Sequence, residues 1–157
     1  MARIYAKEGL ELNQCILEKQ GVRLEFLKGK TLEEHLDALV EQGRNEEAEK
    51  LLFRYVEKVR RIHSGEAFYK TPEFVKVFGN VSQEGTLSCS GISNIDLVPA
   101  NILIDNDRIS VIDYEWTFDF PVPLRFLQYR CLYYYILGNS KRDELVHQNL
   151  YELFGIT

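Results

Sequence analysis

A chain of 157 residues suits one domain and can bury a real core. Its 45% apolar and 27% charged residues are the balance of a globular protein, not of a disordered or fibrous one. The net charge is −5 and the basic residues are scattered, with no cluster longer than Lys58-Val59-Arg60-Arg61. That argues against a nucleic-acid partner, which needs a concentrated basic face.

Cys15, Cys89 and Cys131 are odd in number, widely spaced and without a C-x-x-C pair. Neither a disulfide framework nor a zinc site is expected, and a reducing, cytoplasmic setting fits. His35, His63 and His147 lack H-x-x-x-H spacing. No apolar run nears 18 residues and no signal-peptide pattern is read, so no membrane span is expected. The stretch MARIYAKEG enters alternating residues without a cap, which fits a piece cut from a longer protein.

In chain order, residues 2–27 read as strands. The segments ARIYA, QCIL and VRLEFL alternate with period two, punctuated by Gly9 and Gly21, and predict a small antiparallel sheet. Thr31-Leu32-Glu33-Glu34 is a capping-box pattern that opens a helix closed by Gly43, with Leu32, Leu36, Leu39 and Val40 on one face. A longer helix is predicted from Asn45, read as its N-cap, to His63. Ala48, Leu51, Leu52, Tyr55, Val56, Val59 and Ile62 fall at helical spacing along it. Thr71-Pro72-Glu73 starts a short helix. Residues 80–93 read as a loop. ANILI and RISVID read as two strands about the turn Asp105-Asn106-Asp107. Helices are predicted near 122–137, apolar on nearly all sides and so buried, and near 141–153. The fold class is α+β: a small N-terminal antiparallel sheet, then a mainly helical lobe carrying a β-hairpin. One domain is expected over 1–157, divided as 1–27 and 28–157.

The chemistry concentrates in NIDLVPANILIDNDRISVIDYEW, residues 94–116. Asp96 and Asn101 precede the first strand, and Asp113 follows the second. A hairpin folds the chain back and brings Asp113 toward Asn101. Carboxylates and an amide at one end of a rigid hairpin are hard oxygen ligands of the kind that hold Mg²⁺ against nucleotide phosphates. The bland alternative is turn chemistry, since Asp and Asn cap turns by bonding nearby backbone.

This stretch resembles the catalytic loop and metal-binding segment of the protein-kinase-like fold, closest to the aminoglycoside phosphotransferase and choline kinase branch. VIDYEW is similar to that branch's I-D-[FW]-E pattern. VRLEFLKGKTLEEHL resembles its last N-lobe strand, hinge and first C-lobe helix, and VEKVRRIHS the long helix before its catalytic loop. The resemblance spans about residues 22–120. It implies ATP and Mg²⁺ as cofactors, Asp96 as the catalytic aspartate, and Asn101 and Asp113 as metal ligands. It also implies a hinge at Glu25 to Leu27 offering backbone groups to adenine, and a small hydroxylated molecule as acceptor. Residues 1–27 would then be the remnant of the N-lobe.

Two departures define the alternative. Asn94 stands where the family has His, followed by bulky Ile95, and the chain carries no Gly-rich phosphate loop and no V-A-x-K strand. DYEWTFDFPVPLRFLQYR looks like segments of multidomain bacterial proteins that build surface polysaccharide, beside glycosyltransferase or methyltransferase domains. The second expectation is therefore a non-catalytic kinase-like module among neighbouring domains. Surplus sheet edge and apolar surface on a reduced lobe would favour a homodimer.

Among other polar groups, Asp105, Asn106 and Asp107 lack EF-hand spacing and read as a turn. Glu115 and Asp119 read as supporting acids. His63 reads as a helix-end cap, and His35 and His147 as surface residues. Cys131 is expected in the core. Core packing is expected of Tyr129, Tyr133, Tyr134 and Tyr135, and Trp116 is a candidate pocket wall.

Overall fold

A computed structural model describes residues 1–62, 65–82, 86–142, 145 and 149–156. The architecture is α+β, as the hydrophobic patterning predicts. Among the described residues no helix is long and apolar enough to cross a membrane.

The first departure comes at the start. ARIYA is not a strand: Ala2–Lys7 forms helix α1. Met1, Ile4 and Tyr5 sit three and four residues apart and pack on the core, with Tyr5 fully buried. That helical spacing, and not the weak alternation, decides the state of the segment. Strand β1 (Glu11–Leu12) follows and runs parallel to the second strand of the later hairpin. Strands β2 (Cys15–Glu18) and β3 (Gly21–Leu24) form the one antiparallel N-terminal pair and stand exposed along their whole length.

Strand β4 (Lys30–Thr31) leads into helix α2 (Leu32–Glu41). The capping box is present in both halves. Glu34 N–H donates to the Thr31 hydroxyl at 3.1 Å, and Thr31 N–H donates to the Glu34 carboxylate at 2.7 Å. That second bond, on an exposed side chain, lowers the Glu34 carboxyl below its ordinary pKa. Gly43, at φ +69°, turns the chain out of the helix. Helix α3 (Asn45–Arg61) buries Ala48, Leu52, Tyr55, Val56 and Val59, five of the apolar positions read from its spacing. Its N-cap is Arg44, not Asn45, because the ordered helix takes Asn45 into its first turn. The expected end at His63 lies outside the described residues.

Helix α4 (Pro72–Phe78) is capped by the Thr71 hydroxyl, which accepts from Phe74 N–H at 3.1 Å. Phe68, Phe74, Phe78, Phe118, Phe120 and Phe126 anchor it through edge and tilted ring contacts. Within the expected 80–93 loop lie two short strands, β5 (Cys89–Ser90) and part of β6 (Ser93–Asn94).

The hairpin of β7 (Ile102–Asp105) and β8 (Arg108–Val111) has the expected register, closing through Asp105↔Arg108 and opening at Ile102↔Val111. With β1 and β4 it makes a four-stranded sheet ordered β1-β8-β7-β4. Gly29 enters β4 at φ +121°, where an added Cβ would fall 2.4 Å from the Ile104 carbonyl oxygen, so only glycine fits that approach. Strand β9 (Thr117–Phe118) pairs with β6, and β10 (Val122–Pro123) with β5.

Helix α5 (Leu124–Leu137) was expected to be buried all round, and it is not. Leu124, Leu127, Gln128, Cys131, Leu132 and Tyr135 face the core, while Tyr129, Tyr133, Tyr134 and Leu137 are exposed. Its outer face is aromatic because Tyr is amphipathic and tolerates water at its ring edge. Of the helix expected near 141–153, the described residues give a 3₁₀ turn at Ser140–Arg142 and a helical turn at Leu150–Leu153. His147 lies outside them.

Candidate functional site

Asp96 sits in the turn between β6 and a 3₁₀ turn at Pro99–Asn101. Three layers fix that turn. From below, the Tyr55 hydroxyl donates to the Leu97 carbonyl at 3.0 Å, and the Cys131 thiol donates to the same oxygen at 2.7 Å. From α1, the Tyr5 hydroxyl accepts the Asn94 N–H at 3.1 Å. Within the turn, Asp96 N–H donates to the Asn94 side-chain oxygen at 2.9 Å. Asn94 is wholly buried, and among the described residues its amide nitrogen has no hydrogen-bond partner.

Asn101 is tied to Asp96 directly: its side-chain N–H donates to the Asp96 carbonyl at 3.2 Å. The amide is thereby oriented, and its oxygen is the group left to accept or ligate. Ile112 N–H donates to the Asn101 carbonyl at 2.9 Å, which carries the hairpin register one step past Ile102↔Val111 and sets Asp113 beside the base of β7. Asp113 is exposed and takes a left-handed backbone, φ +54°. Asp tolerates this conformation better than most residues, and such strained positions gather at functional sites. The hairpin thus brings Asp96, Asn101 and Asp113 to one end.

Glu25 and Leu27 lie elsewhere. Glu25 reaches Arg108, the first residue of β8, at 3.8 Å. That is the turn end of the hairpin, on the order of 13 Å from its base at four residues per strand. The Glu25 N–H donates to the Gln14 carbonyl at 3.1 Å, so this donor is committed to the β2–β3 hairpin. Leu27 is half-buried. Trp116 is exposed, and its carbonyl accepts from Ile95 N–H at 3.1 Å. Glu115 and Asp119 are also exposed, and His35 is half-buried. Tyr135 is in the core as expected, whereas its three neighbouring tyrosines are not.

The sequence reading missed Arg130. Its Nε donates to the Ile95 carbonyl at 2.7 Å and its Nη2 to Asp96 Oδ1 at 2.5 Å. The guanidinium lies 4.6 Å from the Tyr134 ring centroid and 5.8 Å from that of Phe126. An arginine in the middle turns of a largely apolar and aromatic helix, with Arg125 at its start, was the signal that could have found it. Among the described residues no group of three or more His, Cys, Asp and Glu side chains converges as a metal cage. The Asp113 carboxylate and the Asn101 amide oxygen are hard oxygen donors of the kind suited to a Mg²⁺ that takes its other ligands from phosphate and water.

Burial pushes the Tyr5 phenol from 10.0 up to about 12 and the Cys131 thiol from 9.0 up to about 12. Both stay neutral in the fold while the unfolded chain ionises sooner. Their contribution is fully present below about pH 9 and is lost as the pH rises toward 12. We expect a thermal midpoint that is flat near neutrality and falls steeply above about pH 9. A midpoint still unchanged at about pH 11 would contradict the buried placement of these two groups.

No protein-family model matches this chain, and a search of curated proteins finds no match.

Proposed function

We propose that the chain is a phosphotransferase-like domain of the kinase-like fold, binding a nucleoside triphosphate with Mg²⁺ and acting on a small hydroxylated molecule. The observation that carries the reading is the Asn101 amide bonded to the Asp96 backbone, with Asp113 held in a left-handed conformation at the same hairpin end. Asp113 and the Asn101 amide oxygen would hold the metal, and Asp96 would orient or deprotonate the acceptor hydroxyl. Bound there, Mg²⁺ would neutralise charge on the phosphates. The Glu25 N–H is held by the Gln14 carbonyl, so the hinge backbone offered to adenine would be that of residues 26 and 27. A cytoplasmic setting, where ATP is supplied, belongs to this reading.

The test is calorimetric titration with ATP, with and without Mg²⁺, on the native chain and on Asp113→Ala. The expected result is binding that needs Mg²⁺ and disappears in the variant. Asp96→Ala is expected to keep binding and lose turnover. Absence of binding at millimolar nucleotide would overturn the reading.

A second reading is a non-catalytic kinase-like module among neighbouring domains of a surface-polysaccharide protein. The Arg130–Asp96 pair favours it, because the Asp96 Oδ1 that would meet an acceptor hydroxyl is already engaged by a guanidinium.

A further inference from the structure

A cavity of about 630 Å³ opens between the C-terminal end of α3, the first turns of α5 and residues 86–88. Its size is that of a small-molecule site. Arg60 and Arg61 line it from α3 and Arg125 from α5, and among the described residues no carboxylate lines it. Arg60 gives its Nε and Nη2 to Glu57, while Arg61 stands 4.0 Å from the Glu8 carboxylate, beyond hydrogen-bond reach. The negative end of the α3 dipole favours cations here, but it does not account for the buried amide beside them. Gln128 of α5 is 3% exposed and borders the cavity. Among the described residues no hydrogen bond meets its side-chain amide. A buried amide without a partner is costly, so this one calls for an occupant of the cavity.

We propose that this cavity binds a phosphorylated small molecule, with its phosphoryl group on the arginines and the Gln128 amide. A phosphomonoester carries nearly two charges and three acceptor oxygens, which several guanidinium forks and an amide N–H satisfy together. A lone carboxylate would engage one fork and leave the others unmatched. Thr86 and Ser88 add exposed hydroxyls at the rim. Helix α5 begins here without a side-chain cap, and its dipole favours an anion. Leu87 and Leu124 supply an apolar strip, and the volume exceeds what a bare phosphate fills, so the phosphate comes on an organic body. The net charge of −5 works against a polyanionic partner and suits the concave site to a small one. None of Asp96, Asn101 and Asp113 lines the cavity, so the inference is independent of the nucleotide reading.

The test is an NMR titration of the whole chain with inorganic phosphate, in chelator and at fixed ionic strength, beside the same titration with acetate. The expected result is saturable shifts of the amides at 86–88 and 124–128, with a Kd on the order of 1 mM, and none with acetate. Arg61→Gln and Gln128→Leu should each weaken binding by about tenfold while keeping the native circular dichroism spectrum. Asp113→Ala should bind phosphate as the native chain does, which separates this cavity from the nucleotide site. No saturable shift up to about 50 mM phosphate, equal binding of acetate, or binding that survives both substitutions would each overturn the proposal. So would loss of phosphate binding in Asp113→Ala. Capture by phosphatidic acid vesicles without binding of free phosphate would overturn it too, by assigning the cavity to a lipid surface.

Discussion

Arg142→Ala is expected to destabilise the fold by about 3–5 kcal/mol, a fall in melting temperature on the order of 10 °C. Arg142 is only 3% exposed. Its Nη2 lies 2.7 Å from both the Glu33 and Asp37 carboxylates, and its Nε donates to Asp37 at 2.7 Å. It also donates to the Tyr135 carbonyl and stacks 4.1 Å from the Tyr135 ring centroid. Burial alone would lower its pKa, yet the bonds to Asp37 and Glu33 hold it raised. Removing the cation strips two carboxylates, 29% and 28% exposed, and a carbonyl of their shared donor between α2 and α5. Most of the loss is the penalty of stranded charge, not the worth of the pair itself. Neutralising the partners as well, in Arg142→Met with Glu33→Gln and Asp37→Asn, should therefore recover a good part of it. Denaturant unfolding of the two variants decides the matter. A loss below about 1 kcal/mol for Arg142→Ala would mean that water already reaches the cluster.

Arg130→Ala is the second large effect. The side chains of Arg130 and Asp96 are 17% and 21% exposed, so the pair is largely screened from water. Truncation frees the Ile95 carbonyl and Asp96 Oδ1 at once, at an expected cost of about 2–4 kcal/mol. The consequence for the site is distinct from the consequence for the fold. The turn at 94–97 keeps its bonds to Tyr5, Tyr55 and Cys131, so it should persist with Asp96 less well oriented. Arg130→Lys retains the charge but not the fork that spans a carbonyl and a carboxylate, and should fall between the two. If Arg130→Ala melts like the native chain and binds Mg²⁺ and nucleotide equally well, Arg130 does not organise the turn.

Strong local signals were legible. The Thr31 capping box, the Thr71-Pro72 start, the apolar stripe of α3 and the 102–111 hairpin each depend on residues within a few positions of one another, and each formed where the spacing put it. The candidate triad was legible for the same reason. One hairpin separates Asn101 from Asp113, and its register follows from the alternation of its two strands.

Long-range choices were not legible. Residues 2–7 offer both an alternating and a helical spacing, and the helical face of Met1, Ile4 and Tyr5 prevails where it meets the core, with the Tyr5 hydroxyl on Asn94 some ninety residues away. Which face of α5 meets water depended on where α3 and the 97–101 turn lie, since its hydropathy is nearly uniform around the helix. The partner of Asp96 was a cation 34 residues on, brought in by the packing of α5 across the loop. By itself the sequence determined helices α2 to α5, the hairpin and the polar residues at its base, because these follow from periodicity and capping. The tertiary structure alone decided how those residues are held and what else touches them. Burial and charge pairing depend on neighbours in space, and sequence spacing does not record them.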